Sequence, residues 1–251
     1  MSDLVSIIMP SYNSQGFIKD AIASVVNQTY INWELIIVDD NSLNQNEIEQ
    51  IASSFNDKRI IFIKNSLRGG AAKARNIATK VAKGRYIAFL DSDDIFKPNK
   101  LKVQVEFLVK FNLAFTYSSY DLIDTQGKKI GEFKTNLEIT HNDLLKTCSI
   151  GCSSVIYDTN KLGKIFMQNF KNREDYVTWL EITKTLKIVK GIEQPLLDYR
   201  IYKNQTSSNK LKMAKYQWKV YRNHENLGLL KSIYYFLHYT VNGLLKYKIK
   251  R

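Results

Sequence analysis

The chain has 251 residues, 44% hydrophobic and 12% aromatic, which suffices for one substantial core and excludes an intrinsically disordered protein. Two cysteines, Cys148 and Cys152, exclude a disulfide-stapled scaffold and are expected to stay reduced. The net charge of +13 is lopsided: residues 210–251 carry ten Lys/Arg and one acid, Glu225, so the tail is +9 and the body only +4, which argues against a nucleic-acid-binding body.

Val5 to Pro10 reads as a first strand, stopped by Pro10 and the polar turn Ser11 to Gly16. Phe17, Ile18, Ala21, Ile22, Val25 and Val26 then recur at helical spacing. Trp33 to Val38 is a second buried strand, ending in Asp39-Asp40-Asn41-Ser42. Ile48, Ile51 and Phe55 mark a helix, Arg59 to Lys64 a third strand, and Arg68 to Asn76 the opening of an alanine-rich helix that stops at Gly84. Tyr86 to Leu90 is a fourth strand, running directly into Asp91-Ser92-Asp93-Asp94.

This alternation predicts a parallel, doubly wound α/β sheet over the first ~95 residues. Right-handed crossovers place Tyr12, Asp39, Asp40 and Asp91 to Asp94 on one rim, where open α/β sheets bind ligands. Acids this close repel one another unless a cation or hydrogen-bond donors offset the repulsion. Oxygen-only ligands suit Mg²⁺ or Mn²⁺, which bridge carboxylates to substrate phosphates. Taken alone, such a motif is more often a solvated loop capping the helix after Pro98. No glycine-rich dinucleotide or Walker-type motif is present. Arg68-Gly69-Gly70 either offers N–H groups to a phosphate or simply makes a turn.

Beyond Pro98 a helix carries Leu101, Val105, Leu108 and Val109. Ala114 to Tyr120 and Lys129 to Phe133 are expected as antiparallel strands around a turn at Asp124 to Gly127, with another short strand at Cys152 to Tyr157. Asn172-Arg-Glu-Asp175 precedes a helix bearing Tyr176, Trp179, Leu180, Thr183 and Leu186, and Pro195 to Arg200 closes the body.

Together these pieces resemble glycosyltransferase family 2, the inverting nucleotide-sugar transferases of GT-A fold, over about residues 4–208. The resemblance rests on Val5 to Asn13, Asn27 to Tyr30, Glu34 to Ser42, Gly70 with Arg75-Asn76, Gly84 to Asp94, Glu174-Asp175 and Tyr199-Arg200. It implies a Rossmann-like, mostly parallel sheet flanked by helices, with a catalytic domain at 1–208 (a nucleotide-sugar half, 1–97, and an acceptor half, 98–208) and a basic helical region at 209–251. It implies Pro10 and Tyr12 lining a uracil pocket, Asp40 beside Asp39 accepting from the uracil ring, and Arg75 or Arg68 near the nucleotide or its phosphates. Asp91, Ser92 and Asp93 form the Asp-x-Asp site for ribose and metal, with Asp94 a further ligand or a support behind it. Asp175 matches the base that deprotonates the acceptor hydroxyl, with Glu174 its neighbour. By itself the acid pair reads more readily as helix N-terminal charge than as a catalytic pair. Arg200 is expected near the diphosphate, whereas Tyr202 stands where family members often carry a histidine, so a His ligand is unsupported. His141, His224 and His238 form no metal spacing in sequence.

Leu227, Leu230, Tyr234, Leu237, Val241 and Leu244 fall on one helical stripe, with Tyr235, Phe236, Tyr239 and Tyr247 around it and Lys246, Lys248, Lys250 and Arg251 at its end. Such a helix either lies in an anionic membrane surface or packs on the catalytic domain. Met1 to Ile7 shows neither a basic region nor a cleavage pattern, so no leader peptide is expected, and no apolar run reaches the ~20 residues that span a bilayer. The expectation is a cytoplasmic protein, peripheral on the inner face of the membrane. The resemblance extends this to transfer from a UDP-sugar, UDP-glucose favoured, to a saccharide on a polyprenyl diphosphate or lipid core, as in O-antigen, lipopolysaccharide or capsule synthesis. The alternatives are a nucleotidyltransferase of similar fold and a non-enzymatic membrane- or nucleic-acid-binding module. Deletion of 210–251 is expected to separate the last, since a transferase should keep turnover on a soluble acceptor.

Overall fold

A computed structural model describes residues 3–203, 205 and 210–248. Four parallel strands come first: β1 (Val5–Ser11), β2 (Trp33–Asp39), β3 (Ile60–Lys64) and β4 (Tyr86–Phe89). They alternate with α1 (Ile18–Val26), α2 (Gln45–Ser53) and α3 (Ala71–Val81), as the periodicity predicts. The rest of the sheet comprises β5 (Ile95–Phe96), β6 (Phe115–Ile123), β7 (Lys129–Phe133), β8 (Glu138–Thr140), β9 (Ile156–Asp158) and β10 (Ile188–Arg200). The order is β3-β2-β1-β4-β9-β6-β10-β5, with β7 on β6 and β8 on β10. Between these strands lie α4 (Lys100–Lys110), α5 (His141–Lys146), α6 (Thr159–Leu162) and α7 (Glu174–Leu186), and α8 (Lys210–Lys219) and α9 (Leu229–Lys248) follow.

β9 runs antiparallel to both β4 and β6, so it is a single reversed strand between two halves whose flanking strands run the same way. It is shorter than expected, because Cys152–Ser154 form a 3-10 turn in which Ser154 Oγ donates to the Gly151 carbonyl at 2.7 Å. β10 begins well before Pro195, which sits between two register shifts, where a missing N–H is tolerated. Gly84 is required for close approach: a Cβ there would lie 2.5 Å from the Ser6 nitrogen.

Alternation along β1 sends Ile8 into one core and Ile7 and Met9 into the other. The first core lies under α3, α5 and α7, the second under α1, α2 and α4.

The C-terminal helices dock on the first of these cores. Between α8 and α9, Val220 and Tyr221 are fully buried in it, with Tyr221 donating to the Leu145 carbonyl at 2.6 Å. Gln217 donates to the Tyr176 hydroxyl at 3.0 Å, and Tyr235 to Asn142 Oδ1 at 2.7 Å. Glu225 pairs with His141 at 3.1 Å and Lys184 at 3.0 Å. The opposite face of α9 exposes Leu230 (83%), Tyr234 (50%), Leu237 (60%) and Val241 (55%), four of the stripe residues. Leu227 instead packs against the core. The side chains of Leu244, Lys246, Tyr247 and Lys248, with Lys250 and Arg251, lie outside the described residues. No described helix is long and apolar enough to cross a membrane.

Candidate active site

The aligned ends of β1, β2 and β4 bring the expected residues to one rim. Ser11 pairs with Asp39, and the Leu90 N–H donates to the Ile8 carbonyl at 3.0 Å. At the β2 end the two neighbouring acids do different work. Asp39 is fully buried and accepts from Ser11 Oγ (3.0 Å), Ser42 N–H (2.9 Å), Ser42 Oγ (2.6 Å) and Gln45 (2.8 Å), so it holds the turn together. Asp40 accepts from Asn65 (2.9 Å) and from the N–H groups of Gly69 (2.9 Å) and Gly70 (2.6 Å), tying the loop before α3 to the rim. Gly70 has φ of 84°, which explains the glycine at that turn. Tyr12 presents a ring 39% exposed, over which the Arg68 guanidinium lies at 3.9 Å. Pro10 is half-buried below it in β1.

The loop after β4 splits its acids. Asp91, with 29% of its side chain exposed, pairs with buried Arg75 at 2.5 Å. Asp93 is half-buried and accepts from the Tyr202 hydroxyl at 3.0 Å, and Ser92 is half-buried between the two. Burial, then the charge of Asp91, pushes the Asp93 carboxyl above the usual range. Asp94 departs from its expected place among the metal ligands: it is 1% exposed and turned into the protein. There it accepts from Ser153 Oγ at 2.6 Å and the Arg200 N–H at 3.2 Å, while Ser153 Oγ also accepts the Asp91 N–H at 3.0 Å. Burial and the neighbouring Asp93 and Asp91 push Asp94 well above the ordinary carboxylate value. Arg200 is also turned inward. It donates to the carbonyls of Asp93 (3.0 Å), Asp124 (3.2 Å) and Thr125 (3.1 Å), and lies over the Phe17 ring at 4.7 Å. Its guanidinium braces the backbone of the acidic loop.

Across from this loop, Glu174 and Asp175 open α7. Glu174 Oε1 is 3.9 Å from Arg75, and its buried Oε2 has no hydrogen-bond partner among the described residues. Asp175 accepts the N–H of Tyr176 at 2.7 Å. Burial raises both carboxyls; the Asp175 charge adds to the effect on Glu174, while Arg75 pulls each partly back. Arg75 therefore joins the acidic loop to the acid pair, although these lie far apart in sequence.

The family model for glycosyl transferase family 2 matches residues 6–165. The chain belongs to that family. It is therefore a glycosyltransferase. Among its relatives, it is 43% identical over 97% of its length, and 95% of the relative's, to the UDP-Glc:alpha-D-GlcNAc-diphosphoundecaprenol beta-1,3-glucosyltransferase WfgD of Escherichia coli. It is 40% identical, over 97% of each chain, to the putative teichuronic acid biosynthesis glycosyltransferase TuaG of Bacillus subtilis. Its fold matches TarS of S. aureus in complex with UDP-GlcNAc at a TM-score of 0.68, with 20% identity, over 88% of this chain and 67% of the other. It also matches the mannosyltransferase PcManGT of Pyrobaculum calidifontis, in complex with GDP-Man and Mn2+, at 0.67, with 16% identity, over 92% and 69%.

In this glycosyltransferase, Asp91 and Asp93 are the carboxylates of the acidic loop that fit a divalent cation. Both are oxygen donors, both are partly open, and the burial and mutual repulsion that raise Asp93 are what a bound cation relieves. Two supports carried no signal of their own in sequence: Ser153 bonds both ends of the acidic loop, and Tyr239 of α9 reaches Arg173 beside the acid pair. Asn76, part of the resemblance, exchanges hydrogen bonds with the Met167 backbone at 2.8 and 2.7 Å. Serine and tyrosine are common enough that only their contacts distinguish them.

Proposed function

We propose that this glycosyltransferase is metal-dependent and inverting, and transfers a sugar from a UDP-sugar, with UDP-glucose favoured, to a lipid-linked saccharide during surface polysaccharide synthesis. The observation that carries the reading is the pair of raised carboxyls, Glu174 and Asp175, facing the acidic loop across Arg75. A carboxylate whose proton affinity is raised by burial is a stronger base, suited to taking a proton from an acceptor hydroxyl. Asp175 is the assigned base: burial, with the charge of Asp91, keeps its proton affinity high, and its own charge raises Glu174 beside it. On the donor side, Tyr12 and Pro10 supply the surface for a pyrimidine and Arg68 a cation beside it. Asp40 and the Gly69 and Gly70 N–H groups it holds form the edge of that surface. Asp91 and Asp93 would hold Mn²⁺ or Mg²⁺, which supplies Lewis-acid stabilisation of the departing diphosphate.

Donor and acceptor class are supported by the relatives. WfgD is named for UDP-glucose and a GlcNAc-diphosphoundecaprenol acceptor, and WfaP, 38% identical over 98% of this chain, carries the same description. The exposed stripe of α9 supports attachment at the inner membrane surface, where such an acceptor resides: apolar and aromatic side chains face outward, with Lys231 exposed beside them.

The test is nucleoside-diphosphate release from a panel of UDP- and GDP-sugars with Mn²⁺, with and without a GlcNAc-diphosphate-lipid acceptor. Metal-dependent release from UDP-glucose, lost in Asp93→Ala and strongly reduced in Asp175→Asn, is expected. Release from a GDP-sugar alone would sink the donor assignment, and full activity in Asp175→Asn would sink the base.

A further inference from the structure

Arg173 stands immediately before the acid pair and is 7% exposed. A buried guanidinium needs acceptors close by. Arg173 finds them on the C-terminal helices: it donates to the Tyr239 hydroxyl of α9 at 2.5 Å and to the Met213 carbonyl of α8 at 3.5 Å. Its charge also lies near the rings of Tyr239 (5.4 Å) and Tyr176 (5.8 Å). The same residue is the N-cap of α7, and the Val177 N–H donates to its carbonyl at 2.9 Å. Thus the backbone of Arg173 begins the helix that carries Asp175, while its side chain is held by helices about 40 and 66 residues further on.

We propose that Tyr239 and Arg173 form a positioning pair through which the C-terminal helices set the placement and charge of Asp175, so that α8 and α9 complete the active site. The inference rests on the reading of Asp175 as the acceptor base. Groups facing Asp175 are Arg75 from α3, Asp91 from the acidic loop, Cys152 from the turn before β9, and Glu174 and Arg173 from its own element. Of these, the two arginines favour its ionised form. Arg75 is anchored independently by Asp91, so Arg173 is the one whose hold on Asp175 depends on the tail. Loosening it lets the positive charge move away and raises the proton affinity of Asp175 further.

The experiment uses the full chain and a ¹³C NMR titration of side-chain carboxyls, with the Asp175 signal assigned through Asp175→Asn. Tyr239→Phe keeps the ring and removes the acceptor oxygen; its Asp175 midpoint is expected to rise by about half a pH unit, and that of Arg173→Gln by about one. Tyr235→Phe deletes a comparable hydrogen bond from the same helix, to Asn142, and is expected to leave the midpoint in place. With UDP-glucose, Mn²⁺ and the lipid acceptor, kcat of Tyr239→Phe at acidic pH should fall by up to about threefold, recover as pH rises, and show an unchanged donor KM. An Asp175 midpoint in Tyr239→Phe that stays put, falls, or moves equally in Tyr235→Phe overturns the positioning role. Because that titration needs no turnover, a wild-type protein that releases no UDP would count against the transfer reading without obscuring this one.

Discussion

The two acidic regions of this glycosyltransferase have opposite hydrogen-bonding economies. At the β2 end, Asp39 accepts from four donors and Asp40 from three, all within hydrogen-bond distance. Around Arg75, by contrast, Glu174 has an oxygen with no partner among the described residues, and Asp93, Glu174 and Asp175 are all raised by burial. Saturated carboxylates make rigid turns. Under-satisfied ones keep a proton affinity that chemistry can use. Carboxylates gathered at one rim of a sheet can therefore either hold a turn or keep a raised proton affinity, according to the donors around them.

The contrast breaks most visibly at Asp175. Asp175→Asn is expected to lower kcat about a thousandfold with the donor KM little changed, as loss of a general base does; steady-state kinetics on the best UDP-sugar checks it. Asp39→Ala should act on the other side of the comparison, through folding. It strands Ser11, Ser42 and Gln45 as donors and is expected to cost about 2–4 kcal/mol of stability in urea unfolding. Unchanged stability there would mean that the β2 turn does not depend on its carboxylate.

The third expectation is a pH profile. Since the proposed base, Asp175, must be ionised to accept a proton and its folded value is raised, kcat/KM should fall on acidification through a midpoint above the ordinary carboxylate value. A limb at that ordinary value would show that burial does not tune this residue. The smallest effect concerns Asp94. Its raised folded value means that the folded state binds a proton more readily than the unfolded chain, so stability declines as pH rises from the ordinary carboxylate value through the raised one. Asp94→Asn should flatten that decline in melts run across the window.

Much of this arrangement is legible in sequence because period and spacing carry it. The four parallel strands, the acidic loop after β4 and the acid pair before a helix all stand where the pattern puts them. What escapes is decided by contacts between distant segments. A three-residue strand such as β9 has too short a pattern to announce that it runs against both its neighbours. Adjacent aspartates are chemically identical until one meets Ser42 and the other Gly69 and Gly70. Asp94 and Arg200 look like substrate-facing groups until Ser153 and the Asp93 carbonyl claim them. The tail stripe was readable as amphipathic, but α9 uses both sides: one packs on α5 and reaches Arg173, and the other faces outward. Deleting 210–251 would accordingly uncover Val220 and Tyr221's core contacts as well as any membrane face, so it no longer separates a transferase from a binding module.

The brace from Arg200 to the acidic loop has a consequence for synthesis on the ribosome. Arg200 meets Asp94 across 106 residues, and β10 fills the sheet position between β6 and β5. The first four strands can pair soon after they emerge, because their partners are near in the chain. The loop that follows them cannot acquire its final shape until β10 has been made and inserted. A nascent chain thus sets its first four strands early and its acidic loop late, so the proposed donor site is completed only once the body of the chain has been made.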